Sequence, residues 1–268
     1  MHSITMGQYQ IVYNALSLTI AAMSAATLFF WLSRDTVAPR YRVALVISGT
    51  VTFIAAYHYW RIFGSWTGAF DVDAQAGTIA LSKEKFNDAY RYVDWILTVP
   101  LLLVELILVM GLSRAETISK GVRLGLLAVA MVGLGYPGEI AGDIQSRLLW
   151  GGLSMIPFLI IVYELAVGLR SSIASQPESA RGLVKAAIFV TVGTWAFYPL
   201  VFFAPLLLGA ENSSLATMSG QAATIVQIGY TIADILAKAG FGVLVYLIAS
   251  AKSQDWALQQ EMVRTKPA

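Results

Sequence analysis

Lys238 lies in the middle of the apolar stretch TIADILAKAGFGVLVYLIA, and Asp234 precedes it by one helical turn. A charged lysine at the centre of a membrane helix costs roughly 2.5–3.5 kcal/mol on insertion scales, so it needs a reason to be there. A carboxylate four residues earlier shares its helix face and supplies an electrostatic partner. Two chemistries fit the pair: a buried structural salt bridge, or an amine held to condense with an aldehyde.

A second set of groups lies in RYVDWILTVPLLLVELILVM, which carries Arg91, Asp94, Thr98 and Glu105. Asp94 to Thr98 is one helical turn and Asp94 to Glu105 is close to three, so all three share a face. The two carboxylates are then separated by roughly 16 Å along the axis. Protonatable groups in a line on one membrane-helix face are what a transmembrane proton relay requires. The alternative for any one of them is a polar bridge between helices. Four such residues together, Asp94, Glu105, Asp234 and Lys238, favour function.

The elements that must hold these groups are membrane helices. Of 268 residues, 57% are hydrophobic and only 13% charged, against roughly a quarter charged in soluble domains. Apolar runs long enough to cross a bilayer recur near 7–32, 43–64, 89–111, 119–138, 147–169, 183–207 and 219–250. The expected fold is all-α, one seven-helix membrane bundle forming a single domain. Its loops are short except for 66–86, where two alternating runs between turn residues predict a hairpin. Lysine and arginine set the orientation. Arg34, Arg40, Arg42, Arg114, Lys120, Arg123, Arg170, Arg181, Lys185, Lys252, Arg264 and Lys266 fall at one end, and only Lys83, Lys85 and Arg147 at the other. The C-terminus is therefore expected in the cytoplasm and the N-terminus outside.

Several chemistries drop out. There is no cysteine, and the two histidines, His2 and His58, do not make a metal site by themselves. A net charge of +2 gives no reason to expect nucleic acid. The start, MHSITMGQYQ, lacks the basic region and small-residue cleavage site of a signal peptide. Gly133 to Gly138 fits a dinucleotide-binding glycine pattern but ends a membrane span, where a tight turn is the better reading. Asn212-Ser213-Ser214 is a formal glycosylation sequon, meaningful only in a eukaryotic secretory setting.

Aromatic residues complete the constellation. Trp195, Tyr198 and Phe202 recur at helical spacing on the sixth span, beside Pro199. Such a stripe is ordinarily core packing. With Trp95 on the third span it could instead wall a slot for an elongated apolar ligand. Pro199 removes a backbone donor and is expected to kink its helix.

RYVDWILTVP with Glu105, WAFYP and DILAKAGFG together resemble the microbial (type 1) rhodopsins over essentially the whole chain. Asp94, Thr98 and Glu105 match the helix-C pattern of proteorhodopsin-type proton pumps; chloride and sodium pumps carry other residues there. The resemblance implies a light-driven outward proton pump in a prokaryotic cell membrane, a transporter rather than an enzyme. Lys238 would form a Schiff base with all-trans retinal, Asp94 and Asp234 would be its counterions, and Asp94 would accept the proton. Glu105 would be the proton donor, and Arg91 would link Asp94 to the outer surface. Trp95, Leu102, Trp195, Tyr198 and Phe202 would line the retinal. Leucine at position 102 implies green absorption, because an apolar residue there stabilises the ground-state charge of the chromophore less. His58 matches the histidine that pairs with the acceptor, so a hydrogen bond to Asp94 is expected to tune its titration.

The fifth span, WGGLSMIPFLIIVYEL, resembles the xanthorhodopsin branch. Gly151 stands where many relatives carry a bulky aromatic residue. It is expected either to pack helices tightly or to open a lateral window for a carotenoid antenna. Assembly as a trimer or pentamer is a further implication. One departure concerns proton release: GQAATIVQIGYTIAD has no carboxylate before Asp234, unlike bacteriorhodopsin-like pumps, which leaves Glu139 or solvent. Two other functions stay open, a photosensor acting on a transducer and a retinal-free transporter. Glu105 favours pumping over sensing, since a proton donor speeds turnover.

Overall fold

The computed structural model describes residues 4–73, 75–87, 89–208 and 219–264; His2, the 212–214 sequon and Lys266 lie outside them. Among the described residues, seven helices are long and apolar enough to cross a membrane. They are α1 (Met6–Ser33), α2 (Arg42–Gly68), α3 (Ala89–Met110), α4 (Arg114–Ile140), α5, α6 (Glu178–Leu207) and α7. Helix α5 runs from Ile144–Tyr163 through a π-helical turn, Glu164–Gly168, to Arg170–Ala174. Helix α7 runs from Gly220–Asp234 through a second π-helical turn, Ile235–Gly240, to Phe241–Arg264.

Local sequence sets where the helices begin. Thr5 with Gln8, and Ser113 with Glu116, form capping boxes at α1 and α4. Asp143 caps α5 by accepting from the Ser146 backbone N–H at 2.7 Å. That bond holds the Asp143 carboxyl below its ordinary range. Ser219 caps α7 through the Ala222 N–H at 3.2 Å. Every helix but α3 therefore overruns the apolar stretch that announces it at one end or both, because hydropathy marks the bilayer-facing part and caps mark the ends. The largest overrun is in α7, which continues to Arg264 through the polar residues that follow 250.

Between α2 and α3 lies the expected hairpin, β1 (Phe70–Asp73) and β2 (Thr78–Leu81), paired antiparallel with Phe70 opposite Leu81. Gly77 turns it at φ +66°, a backbone conformation that suits glycine.

Large apolar side chains such as Leu18, Leu126 and Phe189 stay exposed on the outer faces, as lipid contact requires. Helices α2, α3 and α7 are the most enclosed, with 50%, 61% and 50% of their apolar windows buried against 22% for α4. Arg91, Asp94 and Glu105 of α3 and Asp234, Lys238 and Lys252 of α7 are thus buried, where only other protein groups can satisfy them. Helix α6 continues through Pro199 and Pro205 without interruption.

Arg147 departs from the sequence expectation. It was expected among loop cations, yet it is buried in α5. The turn from α4 into α5 folds Arg147 back against Glu139, which supplies the charge that its burial demands.

Candidate functional site

Lys238 sits within the π-helical turn of α7, a widened turn that interrupts the regular ladder and often marks a functional position. Its Nζ is paired with Asp94 Oδ2 on α3 and lies 3.2 Å from Asp234 Oδ1. All three side chains are buried.

The two carboxylates are held very differently. Asp234 accepts from Tyr198 Oη at 2.5 Å, from Tyr59 Oη at 2.7 Å and from Trp95 Nε1 at 3.0 Å. Arg91 Nη1 stands 3.9 Å away. Asp94 Oδ1, by contrast, is buried with no hydrogen-bond partner among the described residues. Thr98 does not reach that carboxylate; its hydroxyl donates to the Asp94 backbone carbonyl at 2.8 Å.

The hydrogen bond expected from His58 to Asp94 is not formed. His58 Nδ1 is 2.9 Å from the Ile54 carbonyl one turn earlier in α2, which occupies that ring nitrogen. His58 remains close enough to interact with Asp94 electrostatically.

Arg91 is fully buried. It donates to Tyr59 Oη at 2.8 Å and to Gln227 Oε1 at 2.7 Å. Its guanidinium stands 5.3 Å from the ring centres of both Tyr59 and Tyr230. Tyr59, Gln227 and Tyr230 were not singled out from sequence. A signal existed: Gln227, Tyr230 and Asp234 recur at i, i+3 and i+7, a polar stripe on one face of α7.

Beyond Arg91 lies a second buried cluster. Glu139 Oε2 is 3.1 Å from Arg147 Nη2 and accepts from Tyr230 Oη at 3.2 Å and Tyr92 Oη at 3.3 Å. Arg147 also donates from Nε to the Phe202 carbonyl at 2.8 Å, with its guanidinium 4.3 Å above the Phe202 ring. In the other half of α3, Glu105 is buried, and neither carboxyl oxygen has a hydrogen-bond partner among the described residues. The Ser48 hydroxyl is its polar neighbour.

One cavity connects to Lys238. Trp95, Leu102, Trp195, Tyr198 and Phe202 line it, as do Gly151 and Met155 of α5. Trp95 meets Tyr198 edge-on, with ring centres 5.2 Å apart and planes at 90°. The cavity is walled by flat rings and ends on an amine, with carboxylates behind it. Gly151 does not open toward lipid here. A Cβ on it would stand 2.6 Å from Phe202 Cε1 and 2.8 Å from Phe203 Cζ, so the missing side chain admits those two rings.

The bacteriorhodopsin-like protein family matches residues 12–251. The chain belongs to that family. It is 28% identical over 241 residues to the blue-light absorbing proteorhodopsin of gamma-proteobacterium Hot 75m4, covering 89% of this chain and 86% of the relative. It is similar to the crystal structure of xanthorhodopsin, described as a light-driven ion pump with dual chromophore. That match has 45% identity and a TM-score of 0.86, and covers 95% of this chain and 98% of the other. The structure of a thermophilic rhodopsin matches with 43% identity and a TM-score of 0.86, over 94% and 97% of the two chains. Light-driven ion pumps of this family are transporters, not enzymes, and the family binds retinal through a lysine imine. With seven membrane-spanning helices and proteorhodopsin relatives, this is a multi-pass protein of a prokaryotic cell membrane.

The residues present fit retinal. The ring-walled cavity suits a flat apolar polyene, and Lys238 is the buried primary amine that lines it. The paired carboxylates match the positive charge that a protonated imine at that nitrogen carries.

Proposed function

We propose that this protein is a light-driven outward proton pump with retinal attached to Lys238. The observation that carries the reading is the unequal holding of two carboxylates around one buried amine. When bound, retinal supplies light absorption and an isomerisation that changes how tightly the Lys238 nitrogen holds its proton. Asp234, fixed by two tyrosines and a tryptophan, stays in place as an anion. Asp94, with an oxygen left without a donor, is the group that takes the proton from Lys238 Nζ. Glu105 then returns a proton to Lys238 from the other half of the bundle. An unpaired carboxylate at membrane depth costs several kcal/mol, so a proton on Glu105 suits its surroundings.

The direction follows from orientation. Lysine and arginine crowd the Glu105 end, which makes that end cytoplasmic. The burial of Arg147 removes one of the few cations from the opposite loops and sharpens the bias. Protons leaving Asp94 then travel past Arg91 toward the outside, where Glu139 offers a further carboxyl group.

Illumination of cells or vesicles bearing the retinal-loaded protein should acidify the outer medium, and a protonophore should abolish the signal. A folded, visibly coloured protein that moves no protons would make it a photosensor. Absence of any visible band would make it a retinal-free transporter.

A carotenoid antenna beside Gly151 is the finer element of this reading. Gly151 supports it by carrying no side chain at the cavity wall. Seating a carotenoid requires the Phe203 ring to turn aside. Added hydroxylated carotenoid should produce its own bands in the excitation spectrum of retinal emission; a spectrum without them removes the antenna. Assembly as a trimer or pentamer belongs to the same reading, and size measurement of the detergent complex tests it.

A further inference from the structure

Lys252 is a buried cation that the pumping scheme leaves unused. It stands on α7 fourteen residues beyond Lys238 and is only 4% exposed. Its Nζ donates to the carbonyls of Val109 at 2.6 Å and Met110 at 3.3 Å, and it lies 5.8 Å from the centre of the Tyr41 ring. Those carbonyls belong to the last turn of α3, which otherwise has no intrahelical donors for them. A second side chain approaches the same place. Gln176, between α5 and α6, donates from Nε2 to the Met110 carbonyl at 2.9 Å and to the Ser172 carbonyl at 2.7 Å. Arg181 of α6 donates to the Gln176 carbonyl at 3.0 Å.

The end of α3 is thus fastened to α7 on one side and to the α5–α6 turn on the other. Glu105 sits five residues before Met110, roughly 7.5 Å along the axis. Two buried groups near this turn carry acceptors that water would satisfy. Both Glu105 oxygens lack partners among the described residues, and Gln176 Oε1 is buried without one as well. Water admitted past Met110 would find acceptors at both ends. A fastened turn would keep it out.

We propose that Lys252 and Gln176 clamp the last turn of α3 and thereby set the rate at which Glu105 regains a proton from solvent. The inference rests on the pump reading. Lys252 touches no reacting atom and acts as a positioning residue. Its charge also suits the negative end of the α3 dipole, so a lysine is better placed there than a neutral donor.

The test uses the full-length, retinal-loaded protein with Lys252→Met, which keeps the stem and removes the donors. Losing hydrogen bonds to a charged donor should speed proton uptake by about tenfold. Transfer from Lys238 Nζ to Asp94 should keep its rate. The infrared carbonyl band of Glu105 should shift in the dark as water reaches it, and amides in the last turn of α3 should exchange faster with or without retinal. Lys252→Arg should restore all three. Gln176→Ala provides the same measurements if Lys252→Met does not fold. Unchanged or slower uptake overturns the clamp, as does a loss of thermal stability with uptake and the Glu105 band unmoved. Wild-type protein that fails to acidify the medium under light refutes the pump reading instead.

Discussion

At the scale of single residues, the decisive contrast is between Asp94 and Asp234. Both face Lys238, but Asp234 is surrounded by donors and Asp94 is not. Protonating Asp234 would forfeit those charge-assisted bonds, whereas protonating Asp94 forfeits little beyond its pairing with Lys238. Replacing Asp94→Asn should therefore reduce light-driven acidification by about 100-fold or more, the scale of a lost proton acceptor. The visible band should move to longer wavelength, since a negative charge near the protonated nitrogen is gone. Pumping near the wild-type level would transfer the acceptor role to Asp234. The ionisable members of this site were legible in sequence because charge inside an apolar span is conspicuous. Tyr59, Tyr230 and Gln227 were not, since neutral polar and aromatic residues are ordinary in membrane helices. His58 engages the Ile54 carbonyl of its own helix through Nδ1 and makes no hydrogen bond to Asp94, a choice of partner that sequence spacing does not reveal.

At the scale of elements, seven apolar runs and the hairpin were readable, while helix ends and helix irregularities were not. The π-helical turn around Lys238 leaves no mark on hydropathy, because widening one helical turn changes the hydrogen-bond ladder and not the residue types. Arg147 was misread for a related reason. A charge at the margin of a span looks like loop until its partner is known, and Glu139 lies across the α4–α5 turn. That pair ties α4 to α5 and, through the Phe202 carbonyl, to α6. Removing one partner of a buried pair costs about 3–5 kcal/mol. Arg147→Leu should lower the thermal midpoint in detergent by on the order of 10 °C, followed as bleaching of the visible band. Arg147→Lys should recover part of it. A midpoint unchanged in Arg147→Leu would mean that the pair does no more than offset its own desolvation.

At the scale of the whole molecule, the polar groups are distributed unequally along the bundle. The half on the Arg91 side, outer in the proposed orientation, carries a near-continuous chain: Lys238 with Asp94 and Asp234, then Arg91 with Tyr59 and Gln227, then Tyr230 to Glu139 and Arg147. The other half of α3 offers Glu105 as its one carboxyl group, and Leu102, Leu106, Ala237 and Phe241 belong to the apolar core of the bundle. A proton leaving outward thus meets groups already in contact, while one arriving from inside must cross apolar packing from a single donor. For the proposed pump, such asymmetry favours one-way transport, provided that the donor is filled before each cycle. Glu105→Gln empties the inner half of its only carboxyl group on α3 and leaves the outer chain untouched. Proton transfer from Lys238 Nζ to Asp94 should keep its rate. Return of a proton to Lys238 should slow by about 100-fold and become proportional to the proton concentration in solution, because solvent is then the sole source. Continuous pumping should fall with it, while the acidification from a single brief flash should remain. Time-resolved absorption with a pH-indicating dye reads both halves at once. A variant that slows both halves equally would mean that Glu105 supports the bundle rather than feeding it protons.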